Sequence, residues 1–166
     1  ASGTTRTILR ETGKYWVSSE DASEPTWLKD GSFLWQSERS GWKHLYHYKA
    51  DGSLVRQITD GKWEIRALHG IDEASGWIYF SGTERSPIGV DVYRITLEGT
   101  LVQRLSNAEG THSARFSPDL SRYLDVWSDA PTPRQMRLHG NDGAQLRVID
   151  EHAVAALAQY RLSNPA

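Results

Sequence analysis

Apolar and aromatic residues occur along this chain in strand-length runs, and the set of runs recurs three times at a spacing of about 45 residues. Each copy has a small-residue turn, an aromatic-rich run, a second run, then a glycine and a short amphipathic tail. The first copy reads Asp30-Gly-Ser-Phe-Leu-Trp-Gln-Ser37, Leu45-Tyr-His-Tyr48 and Asp51-Gly-Ser-Leu-Val-Arg-Gln-Ile-Thr59. The second reads Ser75-Gly-Trp-Ile-Tyr-Phe-Ser81, Val92-Tyr-Arg-Ile95 and Glu98-Gly-Thr-Leu-Val-Gln-Arg-Leu-Ser106. The third reads Ser121-Arg-Tyr-Leu-Asp-Val-Trp-Ser128, Met136-Arg-Leu138 and Asp142-Gly-Ala-Gln-Leu-Arg-Val-Ile-Asp150. The alternation is that of strands: in the first run Phe33 and Trp35 share a face, and in the second run Leu45 and His47 share one face while Tyr46 and Tyr48 share the other. Gly52, Gly99 and Gly143 stand 47 and 44 residues apart, a period typical of propeller blades, each a four-stranded antiparallel sheet.

The pattern therefore predicts an all-β chain: about three blades of a β-propeller, with blades roughly over 1–66, 67–113 and 114–150. A closed propeller needs at least about four blades, so three copies read as part of something larger. Asp-Gly pairs at 30–31, 51–52, 60–61 and 142–143 mark tight turns, whose backbone favours glycine. Phe116-Ser-Pro-Asp119 ends one strand and turns into the next. Thr7-Ile-Leu-Arg10 and Lys14-Tyr-Trp-Val17 are further candidate strands, and Lys62-Trp-Glu-Ile65 opens the second blade. Only the tail changes period. Val154, Leu157 and Ala158 lie at helical spacing, which predicts a short helix over 151–160, with Ser163-Asn-Pro165 reading as a linker.

Composition narrows the chemistry. The chain has 166 residues and a net charge of −2, which gives no case for nucleic acid or an anionic membrane. No cysteine is present, so disulfides, thiol catalysis and thiolate metal sites are excluded. There is no apolar run long enough to span a bilayer as a helix. His44 and His47 are three apart, which on a strand puts them on opposite faces, so they cannot share a metal ion; no metal or cofactor is expected. No Gly-x-Ser-x-Gly motif occurs, so the nucleophile elbow of a serine hydrolase is missing and no residue is assigned a catalytic role. Trp35, Trp77 and Trp127 are repeat-related and read as packing residues. Glu38-Arg39 and Glu84-Arg85 recur at matching places and read as structural loop pairs.

Asp30-Gly-Ser-Phe-Leu-Trp-Gln-Ser-Glu-Arg-Ser-Gly-Trp-Lys-His-Leu-Tyr46 resembles a blade segment of the dipeptidyl peptidase IV family. So do, in the same order, Arg56-Gln-Ile-Thr-Asp-Gly-Lys-Trp-Glu64, Gly76-Trp-Ile-Tyr-Phe80, Ser86-Pro87, Val92-Tyr-Arg-Ile95 and Gly110-Thr-His-Ser-Ala-Arg-Phe-Ser-Pro118. The resemblance implies the last third of an eight-bladed propeller, with 151–166 leading to an α/β-hydrolase domain that lies outside the chain. It further implies a serine exopeptidase that removes N-terminal dipeptides, peptide as the partner, and a propeller that gates substrate access. The Glu pair and Arg by which that family holds its substrate have no match here. Glu20-Asp21 resembles the stretch that contributes to the outer substrate subsites, where two acids would favour basic side chains; read from the residues themselves, the pair is equally a solvated acidic loop. A cut ring also implies self-association of the isolated chain. The alternative reading is a stand-alone propeller-like module that binds protein or carbohydrate. No compartment is fixed by the sequence; the resemblance leaves the periplasm or cytoplasm of a bacterium.

Overall fold

The computed structural model describes residues 3, 5–13, 17, 24–152, 154, 155 and 159. These residues form three antiparallel four-stranded sheets, and no α-helix occurs among them. The first sheet runs β1 (Thr26–Trp27), β2 (Phe33–Ser37), β3 (His44–Tyr48), β4 (Leu54–Gln57) in spatial order. The second runs β5 (Ile65–Asp72), β6 (Trp77–Gly82), β7 (Asp91–Thr96), β8 (Val102–Arg104). The third is β9 (Thr111–Phe116), β10 (Arg122–Ser128), β11 (Gln135–Gly140), β12 (Gln145–Asp150), again with sequence neighbours paired. The chain divides into two compact units, 1–64 and 65–166; the first sheet lies in one and the other two sheets in the other. Half of the residues of the helix expected over 151–160, like Lys14–Trp16, lie outside the described residues, and the described ones form no α-helix.

The turns follow from side-chain chemistry that repeats with the blades. Asp30, Asp51, Asp119 and Asp142 each accept a hydrogen bond from the backbone N–H two residues on, at 2.8–3.2 Å. This local bond competes with sheet pairing and reverses the chain. Ser117 and Ser121 hydrogen-bond Asp119 and hold its carboxyl down to about 2.

The inner pair of strands in the first two sheets is buried on both faces. Leu34 and Leu45 are as inaccessible as Phe33 and Tyr46 on the opposite side. The outer strands β4, β8 and β12 are wet, with Leu54, Leu101 and Leu146 exposed at their starts. β4 and β12 also carry register shifts at equivalent places, so that Val55 and Leu146 are passed over in the ladder.

In the first unit Thr7–Arg10, expected as a strand, belongs to no sheet. Ile8 and Leu9 instead pack on Phe33, Tyr46 and Tyr48. Glu11 fixes the segment by accepting from Trp35 Nε1 at 2.5 Å and from the Ser37 hydroxyl. A strand would spend its backbone on a ladder, whereas this segment lies flat on side chains. In the second unit the core joins Tyr79, Val92 and Leu105 of one sheet region to Ala114 and Tyr123 of the other. Phe116 sits between them, its ring 4.9 Å from Tyr79 and 4.8 Å from Tyr123. The two sheets are also tied by backbone, as His112 N–H donates to Val90 C=O at 2.8 Å.

Candidate functional site

In a four-stranded meander the first and third connections lie at one end of the sheet and the second at the other. In the second unit the first end carries only short turns, at 73–76, 97–101, 117–121 and 141–144. The opposite end carries the longer segments 83–90 and 129–134, together with 105–110, which links the two sheets. Between these longer segments lies a cleft of about 560 Å³, lined by Arg85, Ser86, Ile88 and Gly89, by Glu109 to Thr111, and by Ser128 to Ala130. Long loops on a rigid sheet end are where binding residues concentrate.

Two glycines let the walls close up. A Cβ on Gly89 would sit 2.7 Å from the Gly110 carbonyl oxygen, and one on Gly110 would fall on the Ser128 carbonyl. Gly110 also has φ +124, a backbone that side-chain-bearing residues rarely adopt. Three backbones therefore meet at the cleft floor with no side chains between them.

Behind that floor lies a buried polar relay. Arg85 Nε is 3.0 Å from Asp91 Oδ2, and Arg85 Nη2 donates to the Ala108 carbonyl at 2.9 Å. Ser106 Oγ donates to the other Asp91 oxygen at 2.6 Å. His112 Nε2 lies 3.1 Å from the same Ala108 carbonyl, and its Nδ1 is 2.6 Å from Asp125 Oδ2. Trp127 Nε1 donates to the Glu109 carbonyl at 2.7 Å. The segment 105–110 is thus held from both sheets by charged or aromatic donors. These bonds place the loops: both His112 nitrogens are taken up by Asp125 and the Ala108 carbonyl, so neither is directed at a hydroxyl.

The other Ser–His contacts are equally unsuited to nucleophilic attack. Ser32 Oγ lies 2.9 Å from His47 Nε2 but gives its proton to Asp30 at 2.6 Å. Ser81 Oγ is 2.7 Å from His69 Nε2 and is buried in the sheet. His69 is itself desolvated, its pKa pushed down to about 4. His44 and His47 diverge, His44 to Thr59 and the Gly61 carbonyl, His47 to Ser32. Among the described residues no cluster of His, Asp or Glu could hold a metal ion.

Glu20 and Asp21, the candidate outer-subsite pair, lie outside the described residues. The two Glu-Arg pairs do not bond internally in the way their adjacency suggests. Arg39 reaches Ser37 and Glu11 and stacks on Tyr46, 4.5 Å from its centroid, while Glu38 approaches Lys43 at 3.9 Å. Arg85 serves Asp91, and Glu84 accepts from Tyr93. Trp127 is buried, and Trp35 and Trp77 are half-buried against their cores. The signal for the cleft was present in the sequence as the Ser-Pro-Ile-Gly and Glu-Gly-Thr-His stretches, whose glycines make room rather than turn the chain.

Three repeated meanders with a loop-built cleft at one end define a segment of propeller type. The chain belongs to the dipeptidyl peptidase IV family: residues 1–134 match the family model for the dipeptidyl peptidase IV N-terminal region. The chain is 26% identical over 132 residues to a probable dipeptidyl peptidase 4 of Emericella nidulans, covering 77% of this chain and 17% of that protein. It is 28% identical over 147 residues to the inactive dipeptidyl peptidase 10 of Rattus norvegicus, covering 79% and 18%. The crystal structure of Porphyromonas gingivalis dipeptidyl peptidase 4 superposes with a TM-score of 0.72 at 31% identity, covering 81% of this chain and 19% of that one. The chain thus spans less than a fifth of the length of these relatives.

Proposed function

We propose that this chain is a non-catalytic propeller segment of a serine exopeptidase that removes N-terminal dipeptides, and that it shapes peptide access to a hydrolase domain beyond it. The carrying observation is the cleft at the long-loop end of the second unit, with its walls fixed by Arg85 and His112. Residues 151–166 would lead toward the catalytic domain. The isolated chain is then inert toward a dipeptide nitroanilide, and turnover abolished by a serine-directed inhibitor would refute this. In an enzyme that includes the hydrolase domain, shortening the 83–90 loop should change kcat/KM for longer peptides and leave a dipeptide nitroanilide unaffected. Equal effects on both would remove the gating role.

Glu20 and Asp21 are assigned to an outer subsite on the same reading. Replacing both by Ala in that enzyme should lower kcat/KM selectively for substrates with a basic residue nearby, by up to about 1 kcal/mol, the scale of a partly exposed charge pair. An arc shorter than a ring also leaves blade faces to be covered, so the isolated chain should self-associate. A monomer mass constant on dilution in light scattering would exclude this.

A further inference from the structure

We infer that the cleft between the 83–90 and 129–134 loops binds a peptide segment bearing a basic side chain, seated against Ile88; this rests on the peptide-access reading above and names the chemistry that the site selects. Ile88 is 92% exposed, far more than any other large apolar side chain among the described residues of the second unit. Its loop is nevertheless fixed, because Arg85 holds it to Asp91 and Ala108 a few residues away. An isoleucine presented to solvent from an anchored loop beside a cleft of about 560 Å³ is a wall without its ligand.

The charges decide what that ligand carries. The Arg85 guanidinium is matched by buried Asp91, and His112 is matched by buried Asp125. Glu109 and Asp129 remain at the cleft with no ion pair among the described residues, and Asp129 uses one oxygen to cap the Thr132 N–H at 2.7 Å. Arg134, at the far end of that loop, does not line the cleft. The cleft is thus left acidic on one side and apolar on the other. Gly89 is buried against the Gly110 carbonyl, so the two glycines close the floor between the acidic side and Ile88.

The test uses this chain alone, so that it stands apart from any peptidase activity. The chain is titrated with acetylated tetrapeptides Ala-Lys-Ala-Ala and Ala-Glu-Ala-Ala while backbone amide shifts are followed by NMR. The lysine peptide should move the amides of 86, 88, 89, 109–111 and 128–130, weaken with added salt, and bind at least about threefold more tightly than the glutamate peptide. Ile88→Ser should weaken both peptides, and Glu109→Gln should reduce the preference for lysine; both side chains are exposed, so the fold is retained. Equal binding of the two peptides, shifts elsewhere on the chain, or an unaffected Ile88→Ser variant would overturn the assignment. Failure of the nitroanilide or loop-shortening experiments with this binding intact would instead remove the gating role and leave the site.

Discussion

His112 Nδ1 lies 2.6 Å from Asp125 Oδ2, and both side chains are 2% exposed. The pair is diagonal across β9 and β10, where His112 faces Trp127 and Asp125 faces Ala114. The other His112 nitrogen holds the Ala108 carbonyl, so the pair sets the position of the segment that floors the cleft.

Removing Asp125 leaves a buried imidazole without its anionic partner. Asp125→Ala should cost about 3–5 kcal/mol in urea unfolding of the second unit, the range for breaking a buried pair. Asp125→Asn keeps the shape and an acceptor oxygen and should cost about 1–2 kcal/mol. A loss below about 1 kcal/mol for the alanine variant would mean that the pair is not carrying the segment.

His69 gives stability a pH dependence whose sign is fixed by its burial. Its pKa falls to about 4 in the folded chain from an ordinary value of 6.5. Between those values the unfolded chain binds more protons, so stability rises with pH. The contribution is complete above about 6.5 and is lost as pH falls toward 4, by roughly 3 kcal/mol at most. His69→Gln, which can still bond Ser81, should flatten the urea midpoint across this window relative to the unaltered chain. Parallel curves for the two proteins would refute the assignment.

The repeat made the sheets legible in the sequence because blade strands and Asp-Gly turns are local signals. The Phe33-Leu-Trp-Gln-Ser37 run and the Asp51-Gly52 turn fall in the structure where their alternation and turn chemistry put them. The Thr7–Arg10 run misled, since an apolar segment that packs flat on a sheet has the composition of a strand within one. The cleft was barely legible. Its Arg85–Asp91 and His112–Asp125 contacts join residues whose partnership depends on which loops share a sheet end, and the glycines at 89 and 110 matter only because two other backbones arrive there. Adjacent Glu38-Arg39 and Glu84-Arg85 suggested pairs, yet neighbours on a chain point apart as easily as together.

Gly52 should tolerate no side chain. Its φ is +88, and a Cβ would fall on the Ile8 carbonyl of the packed segment 5–13. Gly52→Ala therefore carries both backbone strain, about 1–3 kcal/mol, and displacement of Ile8 and Leu9 from the Phe33 cluster. Hydrogen exchange at residues 6–13 should accelerate more than exchange in β2 and β3. Gly31→Ala provides the control, for its φ is +81 but its Cβ would have only an ordinary 3.7 Å contact with Ala50. Equal acceleration in both variants would mean that strain alone acts and the close approach does not.

Outer strand β12 has an edge that should resist pairing with other chains for a reason that can be removed. His139 pairs with Gln145 and Leu138 with Arg147, so Leu146 is an extra residue that breaks the ladder, and Ile149 breaks it again between the Arg137–Val148 and Met136–Asp150 pairs. Irregularities of this kind keep edge strands from templating a neighbour. Deleting Leu146 and Ile149 together would put Gln145 with Arg147, and Val148 with Asp150, in consecutive register with β11, leaving the paired side chains of β12 on their present faces. It also removes two apolar side chains that are 53% and 47% exposed, which by hydrophobicity alone should make the protein more soluble. A regular edge acts the other way: the deletion variant should associate at lower concentration than the unaltered chain in light scattering. Equal or weaker association would show that exposed apolar area, rather than the regularity of the edge, controls how this sheet meets a second copy.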